Sequence, residues 1–331
     1  MLPAGALAGK PRKVPFQRGV TVGEWGLSAY APEPTKRKLR RLARGTNNDS
    51  VTLFTVWEMD NRNSNTIEPG PATGRPRNLI EAIKLAKKRH ESVILRPYID
   101  VVGGAWRGVI QPSDVNAWFA SYRKFILYYA KIAQKYKVDG FAVESELNTM
   151  EKYTSQWIQV IKAVRKHYNK GFLMAQSNWD AYRAVRFWNK LDVIGIAAYF
   201  PVIGAYYGYT CPTGYSFDDL VTGWQQRWYP EIRAIHRKFR RPVLFSELGY
   251  TPAPNSPCQP WTTTLPGSSP ADQAMAYRAA LKVWYHVPWF RGFSFWYVPD
   301  QPALVRHTTS GSHIPTKPAR KVLKHWYRKR R

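Results

Sequence analysis

The sequence predicts a single (β/α)8 barrel. Eight apolar, β-rich runs alternate with segments of helical period from Gly19 to the C-terminus, the pattern of strands buried on both faces beneath a layer of helices. The long polar loops follow strands rather than helices, which places them at the C-terminal mouth where barrel chemistry sits. A doubly wound sheet would carry a Gly-rich phosphate loop, and neither GxGxxG nor GxxxxGK[ST] occurs.

Taken in order, residues 1–18 read as an N-terminal extension and 19–331 as the barrel domain. Gly19–Trp25 is the first expected strand, followed by a basic helix from about Thr35 with Leu39 and Leu42 inward. Ser50–Trp57 is the second strand and opens into the polar loop Asn61–Gly74. Pro76–His90 is helical, and Ser92–Ile99 is the third strand with Asp100 at its rim. Pro112–Tyr136 repeats apolar residues at three and four, which suits a long helix. Asp139–Leu147 is the fourth strand and Tyr153–Tyr168 its helix; Gly171–Trp179 is the fifth, followed by a short helix over Ala181–Trp188. Leu191–Phe200 is the sixth strand, with an aromatic loop and then a helix through Leu220, Trp224, Trp228, Ile232 and Ile235. Arg241–Tyr250 is the seventh strand, Ala271–Tyr285 its helix and Gly292–Val298 the eighth strand. Pro318 suits the first turn of a last helix whose Val322, Leu323 and Trp326 face inward.

Composition narrows the function classes. With 331 residues, 44% of them apolar, and 14 Trp and 20 Tyr, the chain can bury a large core and is unlike a disordered or fibrous sequence. The aromatics serve either core packing or stacking platforms for flat ligands such as sugars. Net charge is +28, with basic residues dense in 35–44 and 317–331. Such charge attracts anionic polymers without specifying which; the bland alternative is solvated outer helix faces. No RNA-binding, zinc-finger or basic-zipper pattern accompanies it, so nucleic acid is not the expected partner. Cys211 and Cys258 lie in separate loops outside any CxxC or Cys/His cluster, and the seven His show no ligand spacing, so no metal or other cofactor is expected. No run of eighteen apolar residues would span a membrane. Residues 1–13 place apolar residues before basic ones, the wrong order for a signal peptide. A monomer is expected.

Two carboxylates end buried strands: Glu146 on the fourth and Glu247 on the seventh. Three strands apart on a ring of eight, they face each other across the mouth. A retaining glycosidase needs such a pair about 5–5.5 Å apart, one carboxylate as nucleophile and the other as acid/base. The bland alternative makes each a rim residue in a salt bridge, unremarkable in a chain with 50 Lys and Arg. Glu144 shares a face with Glu146 on an ideal strand. Buried there it needs a partner, for which Arg96 on the neighbouring strand is the expected one; a shifted register would make Glu144 the acid instead. There is no GxSxG elbow for a serine hydrolase.

The pieces Val22–Trp25, Leu95–Asp100, Trp106–Gly108, Ser145–Leu147, Ser177–Asp180, Ile194–Pro201, Phe245–Tyr250 and Lys317–Ala319 run in order along nearly the whole chain. As an ordered set they resemble glycoside hydrolase family 113, within the clan of (β/α)8 glycosidases that carry an acid/base on strand four and a nucleophile on strand seven. Characterised members of that family are β-mannan hydrolases. The resemblance implies Glu146 as acid/base, Glu247 as nucleophile and Tyr199 as the residue orienting the nucleophile. It implies Trp296 as the floor of the cleaved subsite. Trp106, Arg107, Asn178, Trp179 and Asp180 would contact sugar hydroxyls or order the rim, with Glu24 and Trp25 candidates for the same surface. Many clan members carry Asn just before the acid/base, where this chain has Ser145. The implied activity is endo-acting, retaining hydrolysis of β-1,4-mannan or mannooligosaccharides. An acidic cell-wall or extracellular polysaccharide is the alternative substrate, and a non-catalytic polyanion-binding barrel the alternative class. Cys211 and Cys258 fall in adjacent mouth loops and form a possible disulfide, which would fit an extracellular or cell-wall setting.

Overall fold

The computed structural model describes residues 11–204, 211–212, 214–263, 265–299 and 316–329. Eight parallel strands close in sequence order into a barrel. They are β1 (Gln17–Gly23), β2 (Ser50–Met59), β3 (Ser92–Val101), β4 (Gly140–Ser145), β5 (Phe172–Asn178), β6 (Val193–Ala197), β7 (Val243–Leu248) and β8 (Phe290–Pro299). β8 pairs back onto β1, so no edge is left open. The longest ladder joins β2 to β3, from Ser50 opposite Ser92 to Met59 opposite Val101.

The outer layer holds α1 (Pro32–Thr46), α2 (Pro76–Lys88), α3 (Val115–Lys135), α4 (Thr154–His167), α5 (Phe217–Thr222), α6 (Tyr229–Phe239), α7 (Pro270–Trp284) and α8 (Lys317–Trp326). Pro lies in the first turn of α1, α2, α6, α7 and α8, where its missing N–H costs no hydrogen bond. A π-helical turn, Gly223–Trp228, joins α5 to α6.

After β5 the expected helix over Ala181–Trp188 is replaced by turns and a single 3-10 turn at Trp188–Lys190. Tyr182, Val185, Phe187 and Trp188 are all fully buried, too many sides for one short helix to bury at once. The Trp188 indole N–H instead closes the segment onto the Tyr182 carbonyl at 3.1 Å. The first strand also starts earlier than expected, at Gln17.

Inside the barrel the side chains form layers. Val14, Ile94, Ala142, Phe172, Met174, Val193 and Leu244 plug the N-terminal end. Above them Ser294 links Thr21 and Thr52 through hydroxyl hydrogen bonds of 2.9 and 2.8 Å. Phe54, Val56 and Tyr98, with Trp25 and Trp296 packed on them, make the aromatic layer beneath the mouth. Among the described residues no helix is long and apolar enough to cross a membrane.

Candidate active site

The mouth is organised by one buried cation. Arg96 follows Ile94 on the lumen face of β3 and is 0% exposed. A guanidinium there must be paired, and its NH1 meets Glu247 Oε2 at 2.9 Å. The same nitrogen donates to the Ser246 carbonyl at 2.9 Å and to Gln176 Oε1. Its planar group lies over the rings of Tyr98 and Trp296, 4.9 and 5.4 Å from their centroids.

Glu247 lies near the end of β7 and draws three further donors. Tyr199 OH donates to Oε1 at 2.5 Å, while Tyr98 OH and Gln176 Nε2 reach Oε2 at 3.2 Å. Burial, then the charge of Glu247, pushes the Tyr199 phenol well above its ordinary range, so it stays a donor.

Glu146 takes the first position beyond β4, in the left-handed region at φ +58°. A non-glycine residue there costs roughly 1–3 kcal/mol and persists only where its surroundings impose it. Here Glu146 N–H is tied to the Gln176 carbonyl at 2.7 Å, and the next N–H, of Leu147, is taken by Glu144 Oε1 at 2.8 Å. Arg107 holds the carboxyl itself, with NH1 2.8 Å from Glu146 Oε2, and also pairs with Asp100. Burial pushes Glu146 up to about 7, helped by the Glu247 charge and opposed by Arg107 and Arg96. Glu247 thus lies near enough to act electrostatically on Glu146.

The expected partnership of Arg96 with Glu144 is not formed. The β4–β5 register shifts between Ala142 and Ser145, and this irregularity breaks the alternation that would put Glu144 on the lumen face. Glu144 is instead 0% exposed, under the electrostatic influence of Glu151 and itself acting on Tyr122 of α3. Burial, then Glu151, raises its carboxyl well above the usual range.

The remaining candidates divide. Trp25 joins the site: its indole N–H donates to Asp100 Oδ2 at 2.7 Å and its ring packs on Phe54 at 4.7 Å. Trp296 is half-buried, 5.5 Å from Phe54 and 6.5 Å from Trp25. Glu24 is buried, with Oε1 3.2 Å from the Trp25 N–H. Asn178 donates to Asn148 at 3.1 Å, and Asn148 reaches Asp180 at 3.5 Å, forming a polar strip beside β5. Trp179 is buried in the rim wall, stacked on Trp261 with centroids 5.0 Å apart. Trp106 is 45% exposed, with its ring close against Gly108, where a Cβ would come within 2.2 Å of it.

Tyr98 and Gln176 belong to the constellation and were not singled out from the sequence. The signal was the period of two: Tyr98 repeats the lumen phase of Ile94 and Arg96, and Gln176 that of Met174. The loops after β6 and β7 are joined by a disulfide between Cys211 and Cys258. Among the described residues no group of three or more His, Cys, Asp or Glu could hold a metal ion.

Comparison with known proteins places the chain in a family. A family model described as Glycoside Hydrolase Family 113 matches residues 22–311. A solved structure of a GH113 β-1,4-mannanase in complex form is 25% identical, covering 96% of this chain and 100% of its own, with a TM-score of 0.83. The GH113 β-mannanase of Alicyclobacillus acidocaldarius, bound to ManMIm, is 26% identical, covering 95% and 98%, with a TM-score of 0.82. A β-glucuronidase of Ruminococcus gnavus, 11% identical over half of its own length, shares the barrel fold at a TM-score of 0.62. No curated protein matches the sequence significantly. The chain is a glycoside hydrolase and belongs to glycoside hydrolase family 113.

Proposed function

We propose that the protein is a retaining, endo-acting β-mannanase that cleaves β-1,4-linked mannan or mannooligosaccharides by double displacement. The observation that carries the mechanism is the contrast between its two mouth carboxylates. Arg96, Tyr98, Gln176 and Tyr199 all donate to Glu247. Donors on both of its oxygens leave the carboxyl only as an acceptor held in one direction, so Glu247 is the nucleophile. Glu146 is raised to about 7 by burial and by Glu247, so it holds a proton to give the leaving oxygen near neutral pH.

In the first step Glu247 attacks the anomeric carbon while Glu146 protonates the glycosidic oxygen as that bond breaks. The glycosyl-enzyme then forms beside an ionised Glu146, which takes a proton from water as the water attacks the same carbon. The Tyr199 hydroxyl fixes the direction of Glu247, and Trp296 with Trp25 forms the aromatic floor for the sugar. Mannan as substrate rests on the family and on the mannanases of the same fold.

The test is hydrolysis of mannohexaose followed by proton NMR of the freshly released reducing end. A β-anomer as first product and loss of turnover in Glu247→Gln are expected. An α-anomer would overturn the retaining assignment, and full activity of Glu247→Gln would remove the nucleophile.

A further inference from the structure

Away from the mouth, α7 and α8 flank a groove of about 520 Å³ whose charged lining is entirely basic. Arg278 and Lys282 stand four residues apart on α7, and Lys321 and His325 four apart on α8, with Lys329 just past the end of that helix. Four residues advance a helix by about 6 Å, so Arg278 and Lys282 on one wall stand about a turn apart, opposite Lys321 on the other. Two of them are pinned by rings. The Arg278 guanidinium lies 4.1 Å from the Phe217 centroid and the Lys329 ammonium 3.8 Å from that of Trp326.

Among the described residues Arg278, Lys282, Lys321 and Lys329 are in no salt bridge, whereas Lys84 and Lys87 of α2 are paired. The nearby acids of α5 lie outside the groove lining, and Asp219 there is engaged by Ser216 in a capping box. Like charges held together without counter-charges repel, and the natural remedy is a bound polyanion. The Lys329 carbonyl accepts from Arg18 at the start of β1, so the groove runs toward the face opposite the mouth and a chain lying in it leaves the carboxylates open.

We propose that the α7–α8 groove is a surface site for a linear anionic polysaccharide, one bearing carboxylates along its length, which anchors the enzyme without entering the active site. The chemistry favours this occupant over two others. Single-stranded nucleic acid needs bare aromatic faces for base stacking, and the two rings here are covered by cations. A lipid surface calls for exposed large apolar side chains, and those of the described residues (Leu27, Val102, Trp106, Val109 and Tyr128) all lie elsewhere.

The experiment measures binding of polygalacturonate to the full chain by calorimetry at rising salt, beside mannohexaose, single-stranded DNA and phosphatidylserine vesicles. The expected result is salt-sensitive polygalacturonate binding that weakens about tenfold in the triple variant Arg278→Gln, Lys282→Gln, Lys321→Gln, with mannohexaose turnover unchanged. A control triple variant on α6, Arg233→Gln, Arg237→Gln, Lys238→Gln, removes the same charge and should bind as the parent does. Acetylation footprinting of the unmutated chain gives a readout independent of variant folding, with Lys282, Lys321 and Lys329 protected by the polymer. Equal weakening in both triple variants, no polygalacturonate binding, tighter binding of DNA or vesicles through the same groove, or unprotected groove lysines would each overturn the proposal.

Discussion

Tyr199 donates its hydroxyl to Glu247 Oε1 at 2.5 Å, while Arg96 engages the opposite oxygen at 2.9 Å. The carboxylate is therefore gripped from two sides and cannot swing about its terminal bond. Removing the phenol hydroxyl leaves Arg96, Tyr98 and Gln176 in place but frees Oε1. A hydrogen bond to a charged group is worth about 1.5–3 kcal/mol. Tyr199→Phe should therefore lower kcat roughly 10- to 100-fold on mannohexaose with little change in KM. A fall confined to KM would mean that the hydroxyl binds sugar instead.

On the proposed mechanism, the rise of Glu146 to about 7, caused first by burial and next by Glu247, sets the alkaline limb of activity. Rate should fall as pH climbs through about 7, because the leaving oxygen loses its proton donor. Arg107 opposes that rise, so Arg107→Gln should carry the alkaline limb to higher pH as well as lowering the rate. A limb that stays put in Arg107→Gln would assign it to another group. Glu146→Gln should abolish turnover of mannohexaose while sparing the first step on a substrate with an activated aryl leaving group.

Glu151 is buried behind the site, and burial raises it to about 8 from an ordinary 4.5. The folded chain therefore keeps a proton that the unfolded chain gives up above about 4.5. That stabilisation is complete in acid and is lost as pH rises from about 4.5 to 8. Glu151→Gln cannot ionise, so it should be more stable than the parent above pH 8 by roughly 2–4 kcal/mol and show no such gain near pH 4. Urea titrations at the two pH values measure this, and a gain independent of pH would refute the burial argument.

What could be read in the sequence followed from how completely each segment is buried. Parallel strands covered on both faces must be apolar runs, so Val243–Leu248 and Ser50–Met59 were legible as strands, and with them the elements delivering Glu146 and Glu247. Alternation failed at Glu144, because an irregularity in β4 is a property of its pairing with β5 and leaves no mark in local composition. The segment after β5 misled for a related reason: Tyr182, Val185 and Trp188 have helical spacing, but burying Phe187 as well requires turns. Trp106 carries no sign of exposure, since the ring of Trp suits either a wall or a platform. The disulfide depended on which loops the barrel makes neighbours, and strand order alone sufficed for that.

That disulfide yields a last prediction. Cys211 and Cys258 are 47 residues apart in sequence and tie the loop after β6, downstream of Tyr199, to the loop after β7, downstream of Glu247. Closing a loop of that length in the unfolded chain removes entropy worth about 4 kcal/mol at 25 °C. Cys258 is itself buried, so Cys258→Ser also puts a hydroxyl in an apolar setting. A double Cys211→Ala, Cys258→Ala variant isolates the cross-link. It should lose several degrees of Tm and a few kcal/mol in urea, matching the parent treated with reductant. Because both tied segments lead from β6 and β7, which carry the proposed site, kcat/KM on mannan should fall more than kcat/KM on a short aryl mannoside that occupies only the cleaved subsite. Equal losses on the two substrates would show that the bond stabilises the barrel without shaping the mouth.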